Sequence, residues 1–258
     1  MQIGRQNRIR QRMLPPEAAW SGTTRGETEN TAGTERGIEY GLGAIRTRLA
    51  ARAAITPAKA LVVLMHGVGS NARDLMPLAD IWSESLPDVA FVSLDGTDAF
   101  DGGFGGRQWF SLRDVNEGNR EARVAAAYPA LRQMLEAELA HWQLSFDRLA
   151  LVGFSQGSIM AMHHAATSAE GAAAVVAYSG RLASVIVAQN GTPITLVHGE
   201  DDEVIPVEEL EYAADAFSNA GYTVDAYALP GIGHTINADG VELGKQALEH
   251  ALGTLSRD

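Results

Sequence analysis

The 258-residue sequence contains no cysteine. Disulfides, thiolate metal sites and a cysteine nucleophile are therefore excluded. Lysine is almost missing as well: only Lys59 and Lys245 occur, and the remaining cations are arginine. Against 32 acidic residues the 20 basic ones leave a net charge of −12. No basic stripe crosses the body of the chain, so nucleic acid is not an expected partner. Long apolar runs are absent too. A membrane-spanning helix needs about 18 or more consecutive apolar residues, whereas the longest runs here, such as 60–65 and 172–178, are strand-sized. Stable membrane insertion is not expected. What the chain does have is 46% apolar and 20% charged residues, ordinary values for a globular protein. Its length suits one large domain, or at most two small ones.

The first 37 residues differ from the rest. They hold six arginines and four glutamates, few large apolar side chains and no usable periodicity. Arg5, Arg8, Arg10 and Arg12 precede any acid, yet no apolar core follows them, so a secretory signal does not fit. Residues 21–37 are rich in Thr, Gly and Glu. Such a composition buries too little surface to offset chain entropy. The expected organisation is a disordered extension over 1–37 and one catalytic domain over 38–258.

From residue 38 a rhythm sets in. Residues 38–55 alternate loosely and are expected to supply one or two opening strands. Strands are predicted at 60–65, 89–94, 148–154, 172–178, 193–198 and 223–229. Helices are predicted near 75–86, between 119 and 144, and at 156–168, 207–220 and 239–252. In the second of these, Val124, Tyr128, Leu131, Leu135, Leu139 and Trp142 recur at spacings of three and four. Pro129 interrupts that face, and a kink or restart is expected there. Strands alternating with helices imply an α/β fold: a mostly parallel central sheet with helices on both faces. No long insertion follows 172–178, so no separate cap domain is expected.

Gly153-Phe154-Ser155-Gln156-Gly157 closes the strand at 148–154 and opens the next helix. A serine on so sharp a strand-to-helix turn needs small residues two before and two after it. Gly153 and Gly157 meet that need, and Ser155 is the expected nucleophile. A serine hydroxyl needs a base. In this arrangement the acid and then the histidine follow the serine in the chain. His234 lies in a Gly-rich loop just past the strand at 223–229, where parallel sheets meet ligands. His250 falls within the last helical pattern and is expected on the surface. His66 precedes the serine and is expected to hold its loop. Past the strand at 193–198 come Glu200, Asp201, Asp202 and Glu203. On physical grounds Asp202 and Asp201 both stand as the acid, with Glu200 and Glu203 expected in solvent. Crowded like charges are expected to raise the pKa of whichever carboxylate is buried. Oxyanion donors are expected from the backbone of Gln156 and, after the first central strand, of Val68 in His66-Gly67-Val68-Gly69.

These elements together, with Trp109-Phe110 after a Gly-rich loop, resemble the phospholipase/carboxylesterase family of α/β-hydrolases, which includes the acyl-protein thioesterases. The resemblance spans about residues 38–254. It implies the α/β-hydrolase fold and a Ser-Asp-His triad. In the family pattern the acid stands four residues after the His-Gly histidine, which falls on Asp202. The Gly-x-Gly-His histidine falls on His234, and the residue after the first His-Gly, an oxyanion donor, is Val68. Ser70 and Asn71 depart from the residues usual in the family near that turn.

The activity so implied is hydrolysis of carboxylic esters with short to medium acyl chains, through an acyl-enzyme. Acyl-protein thioesterase or lysophospholipase is the alternative, ahead of a serine peptidase or a non-catalytic binding protein. No metal or organic cofactor is called for. The 95–118 loop, with six glycines and the aromatic residues Phe100, Phe104, Trp109 and Phe110, is expected to bind substrate. For Trp109 and Phe110, core packing stands as an equal alternative. The expected partner is a small-molecule ester or thioester, in a cytoplasmic setting. A homodimer is left open.

Overall fold

A computed structural model describes the backbone of residues 48–51 and all of residues 57–253. The extension expected over 1–37 lies outside the described residues, as does most of 38–55.

Seven strands form the main sheet: β1 (Arg48–Ala51), β2 (Ala60–Met65), β3 (Val89–Leu94), β6 (Leu149–Phe154), β7 (Ala174–Tyr178), β8 (Ile194–Gly199) and β9 (Val224–Leu229). Their spatial order is β1-β3-β2-β6-β7-β8-β9. The edge strand β1 runs antiparallel to β3, and every other pairing is parallel. Between β3 and β6 a small antiparallel hairpin, β4 (Asp98–Ala99) and β5 (Arg107–Gln108), stands apart from the sheet.

The helices are α1 (Met76–Trp82), α2 (Glu117–Trp142), α3 (Gln156–Thr167), α4 (Glu208–Asn219) and α5 (Ala238–Gly253). Successive strand residues point to opposite faces, so each buried strand feeds two cores. Leu61, Val63 and Met65 of β2 join Leu149 and Leu151 of β6 beneath α2, α3 and α4. Ala60, Val62 and Leu64 join Ala150 and Val152 beneath α1 and α5. This double burial explains the unbroken apolar runs. Across the second face, the Trp82 indole N–H donates to the Val241 carbonyl at 3.0 Å and ties α1 to α5.

Helix α2 starts two residues before the expected point because Asn116 caps it. The Asn116 side chain accepts from the Gly118 N–H, and the Asn119 side chain accepts from the Asn116 N–H. The helix then runs through Pro129 as one element, so the expected restart does not occur. Proline removes an N–H and crowds the carbonyl four residues back. That carbonyl belongs to Ala125, a small residue exposed to water, as is Pro129 itself.

The strand order reverses beside β2: β3 lies on one side and β6 on the other. Parallel sheets bind ligands at such a switch point, beyond the carboxyl ends of the strands. The turns leaving β2 and β6 meet there, with Met65 and Gly153 as register partners. Between β7 and β8 the connection at 179–193 contains no helix or strand.

Candidate active site

Ser155 occupies the turn between β6 and α3 with φ 52° and ψ −114°. A side-chain-bearing residue is strained there and persists only where its surroundings impose the conformation. They do so from both flanks. Gly153 lies against the backbone of Gly157 and Ser158, and Gly157 against the carbonyls of Met65 and His66; a Cβ on either glycine would overlap those atoms. The Ser155 N–H donates to the Tyr178 carbonyl at 2.9 Å, and its carbonyl accepts from the Ile159 N–H at 3.1 Å. The side chain is left at the positive end of α3.

Gly67 comes close to this serine; a Cβ on it would stand 3.3 Å from the Ser155 Cβ. From Gly67 the chain turns tightly. The Ser70 N–H donates to the Gly67 carbonyl at 3.3 Å, and Gly69 takes φ 80°, the value a type II turn needs at its third residue. Val68 is the second residue, whose N–H the turn does not use. The Gln156 N–H belongs to the first turn of α3, which lacks intrahelical acceptors. Among the described residues neither N–H is taken by a backbone acceptor.

The loops after β8 and β9 are joined: the Asp201 N–H donates to the Ile232 carbonyl at 2.9 Å. They bring His234 Nδ1 to 2.7 Å from Asp202 Oδ2. The His234 ring lies 4.9 Å, centroid to centroid, from Phe154, the neighbour of Ser155. Burial separates the four carboxylates. The Asp202 side chain is fully buried, whereas Glu200, Asp201 and Glu203 are exposed. The expected upward pKa shift is reversed. Burial pushes the Asp202 carboxyl up, but the N–H groups of Ile205 and Val204 and the His234 ring more than offset it and hold it below the usual range. Both N–H groups donate to Oδ1 at 2.9 Å.

His66 is buried and ties two loops. A carbonyl only accepts, so its Nδ1 donates to Gly67 O at 2.6 Å, and its Nε2 accepts from the Gly96 N–H at 2.9 Å. Burial lowers its pKa. The loop-holding role expected of it matches this geometry. His250 is exposed on α5.

The 95–118 segment is less open than its glycines suggest. The Gly69 N–H donates to the Arg107 carbonyl at 2.8 Å, and the Arg107 N–H to the Ser70 carbonyl at 2.7 Å, fastening the hairpin to the turn at Val68. Trp109 and Phe110 are buried in the core beneath α2 and α3 rather than lining an open cleft. The Trp109 indole N–H donates to the His66 carbonyl at 2.9 Å. Phe100 packs against Gly69 beside the turn. Phe104, at the hairpin tip with φ 58°, projects wholly into solvent.

Two contacts escaped the sequence reading. The Gln156 side chain accepts from the Trp109 N–H and donates to the Phe110 carbonyl, both at 2.7 Å. It thus clamps the aromatic pair to the turn at Ser155, and nothing in the residue type announces this. His198 approaches Asp202 as a second histidine, at 3.2 Å. Its signal is its place four residues before Asp202.

Comparison with known proteins shows the family. The sequence pattern of the Phospholipase/Carboxylesterase family matches residues 48–251. Esterase YpfH of Escherichia coli is 33% identical over 206 residues, 78% of this chain and 85% of that protein. Acyl-protein thioesterase 1 of Gibberella zeae is 22% identical over 199 residues, 68% of this chain and 83% of that one. The crystal structure of esterase PE8 superposes with a TM-score of 0.74 at 31% identity, covering 80% of this chain and 99% of that one. The Bacillus cereus carboxylesterase, at 18% identity and a TM-score of 0.69, covers 83% of this chain and 100% of its own and shares the fold. The chain is a member of the phospholipase/carboxylesterase family of α/β-hydrolases.

Proposed function

We propose that this protein is a serine carboxylesterase that hydrolyses small-molecule esters of short to medium acyl chains through an acyl-enzyme. The observation that carries the reading is the 2.7 Å contact between Asp202 Oδ2 and His234 Nδ1, set against the strained turn at Ser155. Ser155 Oγ attacks the ester carbonyl while His234 Nε2 takes its proton. Asp202 fixes the Nδ1–H tautomer and stabilises the imidazolium that forms. The N–H groups of Val68 and Gln156 receive the oxyanion; one such donor is typically worth about 3–4 kcal/mol in kcat. His234 returns the proton to the leaving alcohol, and water then cleaves the acyl-enzyme by the same route in reverse. Phe100, against Gly69, is the aromatic side chain best placed to meet the acyl group. Trp109 and Phe110 act from beneath by holding the loop.

The catalytic unit is residues 38–258, and residues 1–37 are dispensable for turnover. A reducing, cytoplasmic setting suits a chain without cysteine. No helix among the described residues is long and apolar enough to cross a membrane.

The test is hydrolysis of p-nitrophenyl esters from acetate to palmitate, with Ser155→Ala as the blank. Turnover that peaks at short chains and vanishes in the variant supports the proposal. A peak at long chains moves the substrate to acyl-protein thioesters or lysophospholipids, in line with the names of the more distant relatives. No turnover by folded protein at any length overturns the esterase reading.

A further inference from the structure

His198 is the next-to-last residue of β8, and Asp202 and Ile205 follow in the loop after the strand. Its imidazole is buried, with 2% of the side chain exposed. Nε2 lies 2.8 Å from the Ile205 carbonyl oxygen. A carbonyl oxygen has no proton to give, so His198 Nε2 must carry one and donate it. The same nitrogen stands 3.2 Å from Asp202 Oδ2, so the imidazole flanks the carboxylate while its proton goes to the carbonyl.

Two consequences follow from this placement. The first concerns the loop. Ile205 is gripped at both ends, its N–H by Asp202 Oδ1 and its carbonyl by His198. His198 thus closes the loop on which Asp202 rides. The second concerns charge. Oδ1 accepts from Val204 and Ile205, while Oδ2 accepts from His234 at 2.7 Å and faces His198 at 3.2 Å. Among the described residues, His234 and His198 are the ionisable groups in contact with Asp202.

We propose that His198 is a positioning residue for the reaction: by holding the Ile205 carbonyl it fixes the loop that aims Asp202 Oδ2 at His234. The proposal rests on the triad reading above. Without the donor the Ile205 carbonyl is released, the loop shifts, and Oδ2 meets His234 Nδ1 less squarely, so kcat falls while substrate binding holds.

The experiment compares His198→Leu, which keeps bulk without a donor, with His198→Gln, whose amide nitrogen reaches the place of Nε2. Ester hydrolysis is followed across substrate concentration, and folding by circular dichroism. His198→Leu should lose on the order of 10–100-fold in kcat, as small misplacements of catalytic groups do, with KM within about twofold. His198→Gln should recover most of the rate. Wild-type kcat in His198→Leu overturns the proposal. So does an equal loss in both variants, which is the signature of space-filling alone. If His198→Leu does not fold, His198→Gln against the shorter His198→Asn decides: activity retained only by Gln supports the proposal, and equal activity overturns it. Asp202→Asn runs beside them. Should it turn over like wild type, the triad reading falls; should it be crippled while His198→Leu is intact, only the role of His198 falls.

Discussion

Gly157 rests directly on the Met65 carbonyl group, and a Cβ on it would overlap both atoms of that group. The contact joins the first turn of α3 to the end of β2. Neither partner can swing aside, because both are main chain. Gly157→Ala must therefore push the helix off the sheet. Overpacking of this kind costs about 1–3 kcal/mol, which lowers Tm by about 2–4 °C per kcal/mol in a chain of this size. Activity should fall further than stability, since the displaced turn carries Ser155 and the Gln156 N–H. Thermal melts and ester turnover on the same preparation check both. A Gly157→Ala protein with wild-type Tm and kcat would show that this contact does not shape the turn.

The Gln156 side chain gives a separable prediction. It satisfies the buried Trp109 N–H and the Phe110 carbonyl. Gln156→Ala strands both groups, and each buried unsatisfied group costs about 1–3 kcal/mol. The backbone N–H proposed to receive the oxyanion is retained. The loss should therefore appear mainly as a lower urea midpoint, with a smaller change in kcat. If kcat collapses at unchanged stability, the side chain acts on the substrate and not through the 109–110 strand of loop.

Much of this architecture was legible from local pattern. The strands at Ala60–Met65 and Val89–Leu94 fall on the residues expected, because both their faces are buried and the apolar run is continuous. The turn at Ser155 was legible because two close backbone approaches demand Gly153 and Gly157. The hairpin of Asp98–Ala99 and Arg107–Gln108 was not. Two-residue strands carry no alternation, and their order comes from main-chain bonds to Gly69 and Ser70, far away in sequence. For the same reason the burial of Trp109 and Phe110 was undecidable: it depends on Gln156 and His66. Composition shows that aromatics cluster, not which way they face.

Asp202 and Asp201 were chemically equivalent in the sequence, and the structure separates them. Asp202 is buried against His234, while Asp201 is exposed and offers its N–H to Ile232. Asp202→Asn keeps shape but reverses the preference for the Nδ1–H tautomer of His234. A loss in kcat on the order of 10³–10⁴-fold is expected, with a circular dichroism spectrum like wild type. Asp201→Asn should stay within about twofold. The opposite pattern would move the acid to Asp201.

The last prediction concerns stability against pH, and it arises away from the site, where α3 packs on α2. His163 and His164 are buried side by side. Burial lowers both pKa values from 6.5 to about 4, with Arg132 adding to the effect at His164. His163 Nδ1 pairs with the Ser184 hydroxyl at 2.6 Å, and His164 Nδ1 with the Tyr128 hydroxyl at 2.8 Å. In the unfolded chain both imidazoles take up protons near pH 6.5; in the folded chain they resist until about pH 4. Between those values the unfolded state binds more protons, so stability is whole above pH 6.5 and declines as pH falls toward 4. Each group contributes a slope of up to about 1.4 kcal/mol per pH unit. Carboxylates also titrate at the lower end of this window, so the wild-type curve alone does not isolate the histidines. His163→Gln does, because Gln can still meet Ser184 and has no proton to gain. Relative to wild type, the variant should gain about 2–3 kcal/mol between pH 6.5 and 4.5, read from urea unfolding at each pH. A difference that stays constant across that range would mean that His163 titrates in the folded protein as it does in the open chain.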